Sequence, residues 1–123
     1  MLSNKKRKLY TPRRKTMSGK KLLIVIPCYN EEEALPSTLK RMETLMNKML
    51  GEKLIDKNSR VMFVDDGSAD NTWQILKKGV GKTPFFEALR LSRNFGHQSA
   101  ILAGMFDNEA DIYVTIDADL QDD

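Results

Sequence analysis

Four apolar runs divide the chain beyond residue 21 into strand-like segments with helical stretches between them. The runs are Leu22–Pro27, Arg60–Asp65, Phe86–Leu91 and Ile112–Ile116. The first reads LLIVIP, and a run that is apolar at every position indicates a strand buried on both faces, as in a parallel sheet. The sequence therefore predicts four strands.

The stretches between the strands show the spacing of amphipathic helices. Glu32–Leu50 has apolar residues three and four positions apart, with Pro36 expected in its first turn and Gly51 at its end. Asn71–Lys78 and Gly96–Phe106 are the other predicted helices. Because alternating strands and helices are joined by right-handed crossovers, the pattern predicts an α/β domain with a mostly parallel sheet and flanking helices.

Three residues indicate where these helices begin. Asn30, with Glu33 three positions later, is typical of a helix N-terminus. Asp70 is expected to cap the second helix. Gly96, at the start of the third, would leave backbone N–H groups available to an anion.

A polar cluster directly follows each predicted strand. In chain order the clusters are Cys28–Glu31, Asp65–Ser68, Ser92–Asn94 and Asp117–Asp123. Parallel sheets bind ligands beyond the carboxyl ends of their strands, near a switch in strand order. We therefore expect the four clusters to form one ligand site.

The last cluster has the ligand types of a divalent-metal site. Alternate residues of an extended chain point the same way, so Asp117, Asp119 and Gln121 would converge as three oxygen donors. Mg²⁺ and Mn²⁺ prefer such donors. An exposed acidic loop is the alternative interpretation.

The other clusters offer groups suited to a nucleotide. Asp65 and Asp66 could bind metal or accept hydrogen bonds from a base and from sugar hydroxyls, although acids at a turn also serve as helix caps. Tyr29 offers an aromatic ring for stacking and Glu31 an acceptor. Arg93 could pair with the acids or hold a phosphate. The only histidine, His97, is expected in the first turn of a helix and not as a catalytic base.

Charge is distributed unevenly along the chain. The formal net charge is +3, yet residues 1–21 contain nine of the 20 lysines and arginines and no acid, which leaves a formal charge of −6 on residues 22–123. We predict a basic disordered tail over residues 1–20 and an acidic domain over residues 21–123. The tail could bind an anionic membrane surface or nucleic acid, or simply increase solubility.

Cysteine content and hydropathy indicate the cellular compartment in which the domain is expected. The single Cys28 excludes an intramolecular disulfide and is expected to be a small packed residue. The sequence shows no signal-peptide apolar region and no run long enough to cross a bilayer. We expect the domain in the cytoplasm.

Four strings carry a resemblance to a known family: IPCYNEEE, VDDGSADNT, LSRNFGHQSAILAG and TIDADLQDD. Residues 21–123 resemble the family 2 glycosyltransferases of the GT-A fold. Within that family they are most similar to the polyprenyl-phosphate branch, the dolichol-phosphate mannose synthases and bactoprenol glucosyltransferases. The fold implied is the Rossmann-like half that binds the nucleotide sugar.

The resemblance implies roles for particular residues. Pro27, Tyr29 and Glu31 would form part of the nucleotide pocket. Asp65 and Asp66 would meet base and ribose. The metal ligands that position the sugar diphosphate, with Mg²⁺ or Mn²⁺ as the ion, would be Asp117, Asp119 and Gln121.

The implied reaction moves a sugar from a UDP- or GDP-sugar to a polyprenyl phosphate at the cytoplasmic face of the membrane. The catalytic base, the groups that hold the acceptor phosphate and any membrane helices are expected beyond Asp123. This part of the enzyme is therefore expected to be inactive alone and to bind nucleotide weakly. Nucleic acid is not an expected partner, and the oligomeric state is left open.

Three other classes of protein share parts of this pattern. A receiver-like phosphoacceptor domain would carry its acid pair after the first strand, whereas the pairs here follow the second and fourth. An NAD-binding domain would have Gly-x-Gly-x-x-Gly after Leu22–Pro27, and this sequence does not. A non-catalytic module that binds a nucleotide sugar stays open.

Overall fold

The computed structural model describes residues 19–106 and 108–120. Within them, strands and helices alternate along the chain. They are β1 (Leu22–Cys28), α1 (Leu35–Gly51), β2 (Arg60–Asp65), α2 (Thr72–Val80), β3 (Phe86–Arg90), α3 (His97–Phe106) and β4 (Ile112–Thr115). All seven predicted elements are confirmed. Residues 1–18 of the predicted tail, and the predicted ligand Gln121, lie outside the described residues.

The four strands form one parallel sheet in the order β3-β2-β1-β4. Cys28 pairs with Asp65, and Asp65 pairs with Arg90, so the carboxyl ends of β1, β2 and β3 are level. The chain moves outward from β1 to β3 and then returns to place β4 on the other side of β1. The strand order therefore switches between β1 and β4, which is where such sheets open a ligand crevice.

Helices cover both faces of the sheet because β1 is apolar on both. Ile24 and Ile26 pack with Phe63 and with the buried side chains of α1 and α2. Leu23 and Val25 pack on the opposite face, against α3. None of the helices in residues 19–106 has the length and hydropathy needed to cross a bilayer.

The start of α1 differs from the prediction, whereas its end at Gly51 agrees with it. The helix begins at Leu35, and its N-cap is Ala34. Asn30 does not cap it: Asn30 has φ of 53°, and its side-chain oxygen accepts a hydrogen bond from Ala69 N at 2.9 Å. Gly51 is the last helical residue, but the left-handed conformation after the helix belongs to Lys53, with φ of 58°.

Asp70 lies one position before the N-cap of α2 and is not itself that N-cap, which differs from the prediction. The N-cap is Asn71, whose side chain makes no capping bond. Asp70 Oδ1 accepts hydrogen bonds from Thr72 N at 2.9 Å and Thr72 Oγ1 at 2.6 Å. Its Oδ2 accepts from Glu32 N at 3.2 Å, so one carboxylate links α2 to the loop after β1.

Close packing of α3 on the sheet requires a glycine. A Cβ at Gly104 would lie 2.7 Å from Val25 Cγ1 and 2.9 Å from Val64 Cγ2. Nothing lies within 4 Å of the corresponding position at Gly51. Substitution by alanine is therefore expected to have opposite effects on stability at these two helical glycines.

Gly104→Ala is expected to lower the free energy of unfolding by about 1–3 kcal/mol, because the methyl group would push α3 away from the sheet. Gly51→Ala, the control, is expected to raise it by up to about 1 kcal/mol, since alanine favours helix more than glycine does. Urea unfolding followed by the fluorescence of the single tryptophan, Trp73, measures both. Equal changes for the two variants would contradict this packing.

Candidate functional site

A cavity of about 430 Å³ opens at the carboxyl edge of the sheet, where the ends of β1 and β4 meet. Its walls come from the segments that follow all four strands. The lining residues are Pro27, Cys28, Tyr29, Glu31, Asp66, Asn94, Gly96, His97, Asp117, Ala118 and Asp119. The position agrees with the crevice expected at the switch in strand order.

The cavity brings together most of the residues predicted from the sequence. Those that line it are Pro27, Tyr29, Glu31, Asp66, Asp117 and Asp119. Two predicted residues, Asp65 and Arg93, are outside the lining. The described residues do not include Gln121, so its role as a ligand stays a prediction.

The loop after β1 is fixed by bonds to the loop after β2. Asn30 N donates to Ser68 Oγ at 2.8 Å, and Glu31 N donates to Thr72 Oγ1 at 2.9 Å. Asn30, which lies between Tyr29 and Glu31 in the chain, has a left-handed backbone conformation. Tyr29 is 48% exposed, so its ring is available for stacking against a planar ligand.

The segment after β4 turns instead of continuing as an extended chain. Leu120 N donates to Asp117 O at 3.1 Å, and Leu120 has φ of 49°. The extended-chain reason for grouping Asp117 with Asp119 is therefore wrong. Both residues still line the cavity because Ala118, between them, is buried and its carbonyl accepts a hydrogen bond from Thr38 Oγ1 of α1.

Negative charge is concentrated around Glu31. Burial raises the pKa of this carboxyl, and the charges of Asp119, Asp70 and Asp117 raise it further. A divalent cation at this point would relieve the repulsion. The electrostatics therefore favour a cation in the cavity.

The donor set fits a metal ion shared with a ligand. Among the described residues, no three histidine, cysteine or acidic side chains are grouped closely enough to hold a metal by themselves. Mg²⁺ is commonly held by one or two carboxylates together with substrate phosphates and water. Asp117 and Asp119 supply such carboxylates, and phosphate oxygens would have to complete the shell.

Asp66 shapes the wall formed by the loop after β3. The residue is 3% exposed, and its carboxylate accepts hydrogen bonds from Phe95 N at 2.8 Å, Gly96 N at 3.1 Å and Asn94 Nδ2 at 3.1 Å. The Gly96 N–H, expected to meet an anion, is thus used within the protein. Gly67, with φ of 74°, allows the close approach, since a Cβ there would lie 2.3 Å from the carbonyl carbon of Arg93.

Asp65 and Arg93 make contacts outside the cavity. Asp65 is completely buried, accepts a hydrogen bond from Ser68 N at 3.1 Å, and lies 3.5 Å from Arg90 Nε. The guanidinium of Arg93 lies 3.9 Å from the centre of the Phe95 ring. Arg93 Nη1 also donates to the Asn94 carbonyl at 3.4 Å, so both contacts of Arg93 are with its own loop.

Five lining residues are not among the predicted site residues: Cys28, Asn94, Gly96, His97 and Ala118. Asn94 lines the cavity while bonding Asp66, and His97 does so as the first residue of α3. Both follow a predicted strand, which is the signal for them, but the sequence indicates no ligand role for Asn94 and only a position in the first helical turn for His97. Cys28 is buried, and burial, with Glu31 and Asp65, raises the pKa of its thiol, so it is a packed residue as predicted.

Residues 23–123 match the family model described as Glycosyl transferase family 2. Uncharacterized glycosyltransferase YkoT of Bacillus subtilis is 42% identical over 104 residues, which are 83% of this chain and 31% of that protein. An undecaprenyl-phosphate 4-deoxy-4-formamido-L-arabinose transferase of Pseudomonas syringae is 38% identical over 99 residues, 80% of this chain and 28% of the relative. The chain thus spans about a third of the length of these relatives.

Solved structures with the same fold are also glycosyltransferases. A mannosyltransferase from Pyrobaculum calidifontis, in complex with GDP-Man and Mn²⁺, aligns with a TM-score of 0.69 and 19% identity, over 95% of this chain and 33% of that one. Glucosyl-3-phosphoglycerate synthase from Mycobacterium tuberculosis, in complex with Mn²⁺ and UDP, aligns with a TM-score of 0.61 and 20% identity, over 81% of this chain and 34% of that one. These similarities confirm the predicted GT-A fold.

Glu31→Gln is expected to stabilise the folded chain at neutral pH without metal, because it removes a carboxylate that is disfavoured first by burial and then by the charges of Asp119, Asp70 and Asp117. The pKa of Glu31 is raised above its ordinary value of 4.5 in the folded chain. Protonated Glu31 therefore favours folding: this contribution is complete below the unfolded-state pKa and is lost as pH rises through the folded-state pKa.

Thermal unfolding from about pH 4 to about pH 8 measures this effect. The gap in Tm between Glu31→Gln and the original chain is expected to widen as pH rises, and added Mn²⁺ to narrow it. Glu33→Gln, at an exposed neighbouring position, is the control. A gap in Tm of the same size at every pH would show that the pKa of Glu31 is not raised in the folded chain.

Proposed function

The chain belongs to glycosyltransferase family 2, and we propose that it is the donor-binding part of an enzyme that transfers a sugar from a UDP- or GDP-sugar to a polyprenyl phosphate. The observation that carries the proposal is the meeting of two loops at the β1–β4 switch. One loop offers Tyr29 and Glu31, and the other offers Asp117 and Asp119, at the walls of one cavity. A stacking ring beside clustered carboxylates suits a nucleoside diphosphate held with a cation.

We assign the base and ribose to the β1 side of the cavity. Pro27 and Tyr29 supply apolar and aromatic surface there. Asp66 lies on the adjacent wall, where its carboxylate already orders the loop after β3 through three donors. We assign this residue a double role, in building the wall and in meeting the nucleoside.

The diphosphate belongs at the β4 side. Asp117 and Asp119 would hold Mg²⁺ or Mn²⁺ there, and the predicted Gln121 would be a further ligand. When bound, the ion would supply positive charge to the diphosphate oxygens and so stabilise the departing nucleotide. Ala118, buried between the two carboxylates and bonded to Thr38, fixes their positions.

The acceptor is assigned by analogy with relatives. The Pseudomonas syringae relative is named as an undecaprenyl-phosphate transferase, which supports a polyprenyl phosphate as acceptor here. A lipid acceptor would place the reaction at the cytoplasmic face of a membrane, where the basic residues 1–20 would meet anionic lipid. We propose that these 123 residues alone bind the donor and do not complete the transfer.

One observation favours the second candidate, a module that binds the nucleotide sugar without catalysis. Among the described lining residues, the groups that commonly activate a nucleophile are acids beside the metal position, a protonated Cys28, and His97. In this proposal the acids hold the cation, and burial, which raises the pKa of the Cys28 thiol, keeps it from acting as a nucleophile. Binding by the chain therefore does not require turnover.

Isothermal titration of the 123-residue chain with UDP-glucose and GDP-mannose tests the donor site. We expect one of them to bind, with affinity that increases on adding Mn²⁺. Asp119→Ala is expected to weaken the metal-dependent binding by about tenfold or more, since it removes a ligand. Glu109→Ala, an exposed acid at the amino end of β4, is the control and should change little.

Two results would contradict the donor-site proposal. The first is nucleotide binding that does not depend on metal. The second is equal loss of binding in Asp119→Ala and Glu109→Ala, which would indicate a general effect of negative charge.

A further inference from the structure

We propose that Arg90 is a positioning residue for the nucleotide cavity and that it acts through the buried carboxylate of Asp65. Neither residue lines the cavity. This role rests on the proposed function, because it is defined by its effect on a site assigned to a nucleotide. It also reassigns Asp65, which the sequence placed against base and ribose.

The carboxylate of Asp65 is buried with few hydrogen-bond donors around it. Its side chain is completely buried. Oδ1 accepts one hydrogen bond, from Ser68 N, whereas Oδ2 has no hydrogen-bond partner among the described residues. A buried carboxylate that lacks donors is costly unless a cation stands close by.

Arg90 is that cation. It is the last residue of β3 and pairs in register with Asp65, so the two side chains leave the sheet on the same face. Arg90 Nε lies 3.5 Å from Asp65 Oδ2. The guanidinium also lies 5.7 Å from the centre of the Trp73 ring, which holds the half-exposed side chain over the buried acid.

A short series of bonds leads from Asp65 to the cavity wall. Asp65 Oδ1 holds Ser68 N, and Ser68 Oγ accepts a hydrogen bond from Asn30 N at 2.8 Å. Asn30 stands between Tyr29 and Glu31 in a left-handed conformation that needs support. Loss of the Arg90 charge would therefore loosen the turn at Ser68 and then the loop that presents Tyr29 and Glu31.

Charge removal followed by charge rescue tests this role. The variants are Arg90→Ala, Arg90→Lys, Asp65→Asn and the double variant with Arg90→Ala and Asp65→Asn. Arg60→Ala is the matched control, because Arg60 also faces an acid across the sheet, Glu87 at 3.9 Å, but at the amino end of β2.

In the 123-residue chain with Mn²⁺, Arg90→Ala is expected to weaken binding of UDP or GDP by about tenfold, and Arg60→Ala by less than about twofold. Arg90→Lys should lose less nucleotide affinity than Arg90→Ala, because lysine keeps the positive charge. The double variant should regain most of the affinity, because a neutral amide at position 65 no longer needs a cation. A residue that touched the nucleotide directly would show no such rescue.

Amide hydrogen exchange at Asn30 and Ser68 provides a readout that needs no nucleotide. Arg90→Ala should speed exchange at both by about tenfold, and the double variant should restore it. Unchanged exchange, or affinity that the double variant fails to regain, would overturn the role of Arg90. If Arg90→Ala does not fold, Arg90→Lys decides by the same two measurements.

The two proposals fail in different ways. A chain that binds neither nucleotide would refute the donor site, while exchange at Asn30 and Ser68 would still decide whether Arg90 and Asp65 hold the loop. Normal nucleotide binding with no effect of Arg90→Ala would leave the donor site intact and refute the positioning role.

Discussion

The structure depends on β1 being buried on both faces and bonded on both edges. β1 pairs with β2 on one side and β4 on the other, and helices pack above and below it. Since all the strands are parallel, the segments that leave β1 and β4 emerge side by side. Parallel sheets bind ligands in a crevice at such a switch in strand order. The crevice here therefore lies beyond the carboxyl ends of β1 and β4, beside Tyr29, Glu31 and the Asp117–Asp119 segment.

Acidic residues at the carboxyl edge divide into two groups according to their hydrogen-bond donors. The first group is Asp65, Asp66 and Asp70. Their carboxylates accept hydrogen bonds from backbone N–H groups of the loops around the cavity and so hold those loops in place. Glu31, Asp117 and Asp119 line the cavity, where burial and then the neighbouring acidic charges raise the pKa of Glu31. The first group stabilises the fold, and the second leaves a negative site that a cation and a diphosphate would complete.

Sequence reasoning located the elements and the edge of the site well, because apolar runs report burial and parallel strands end together. It could not separate Asp65 from Asp66, since Asp65 ends β2 and Asp66 begins the following turn, and only the packing shows which of the two side chains reaches the cavity. The turn at Asp117–Leu120 and the stacking of Arg93 on Phe95 were equally out of reach. Both depend on neighbours brought together by the fold, as does the left-handed Lys53 after α1.

The central claim is that two loops, one after β1 and one after β4, form a single metal-dependent nucleotide site. Paramagnetic broadening of NMR amide signals by Mn²⁺, added with UDP or GDP to the isotope-labelled chain, tests it most directly. We predict that signals from residues 29–31 and 117–119 broaden together, while those of Lys21 and Asp111 at the amino edge stay sharp. Broadening of only one loop, or broadening centred at the amino edge, would contradict the account.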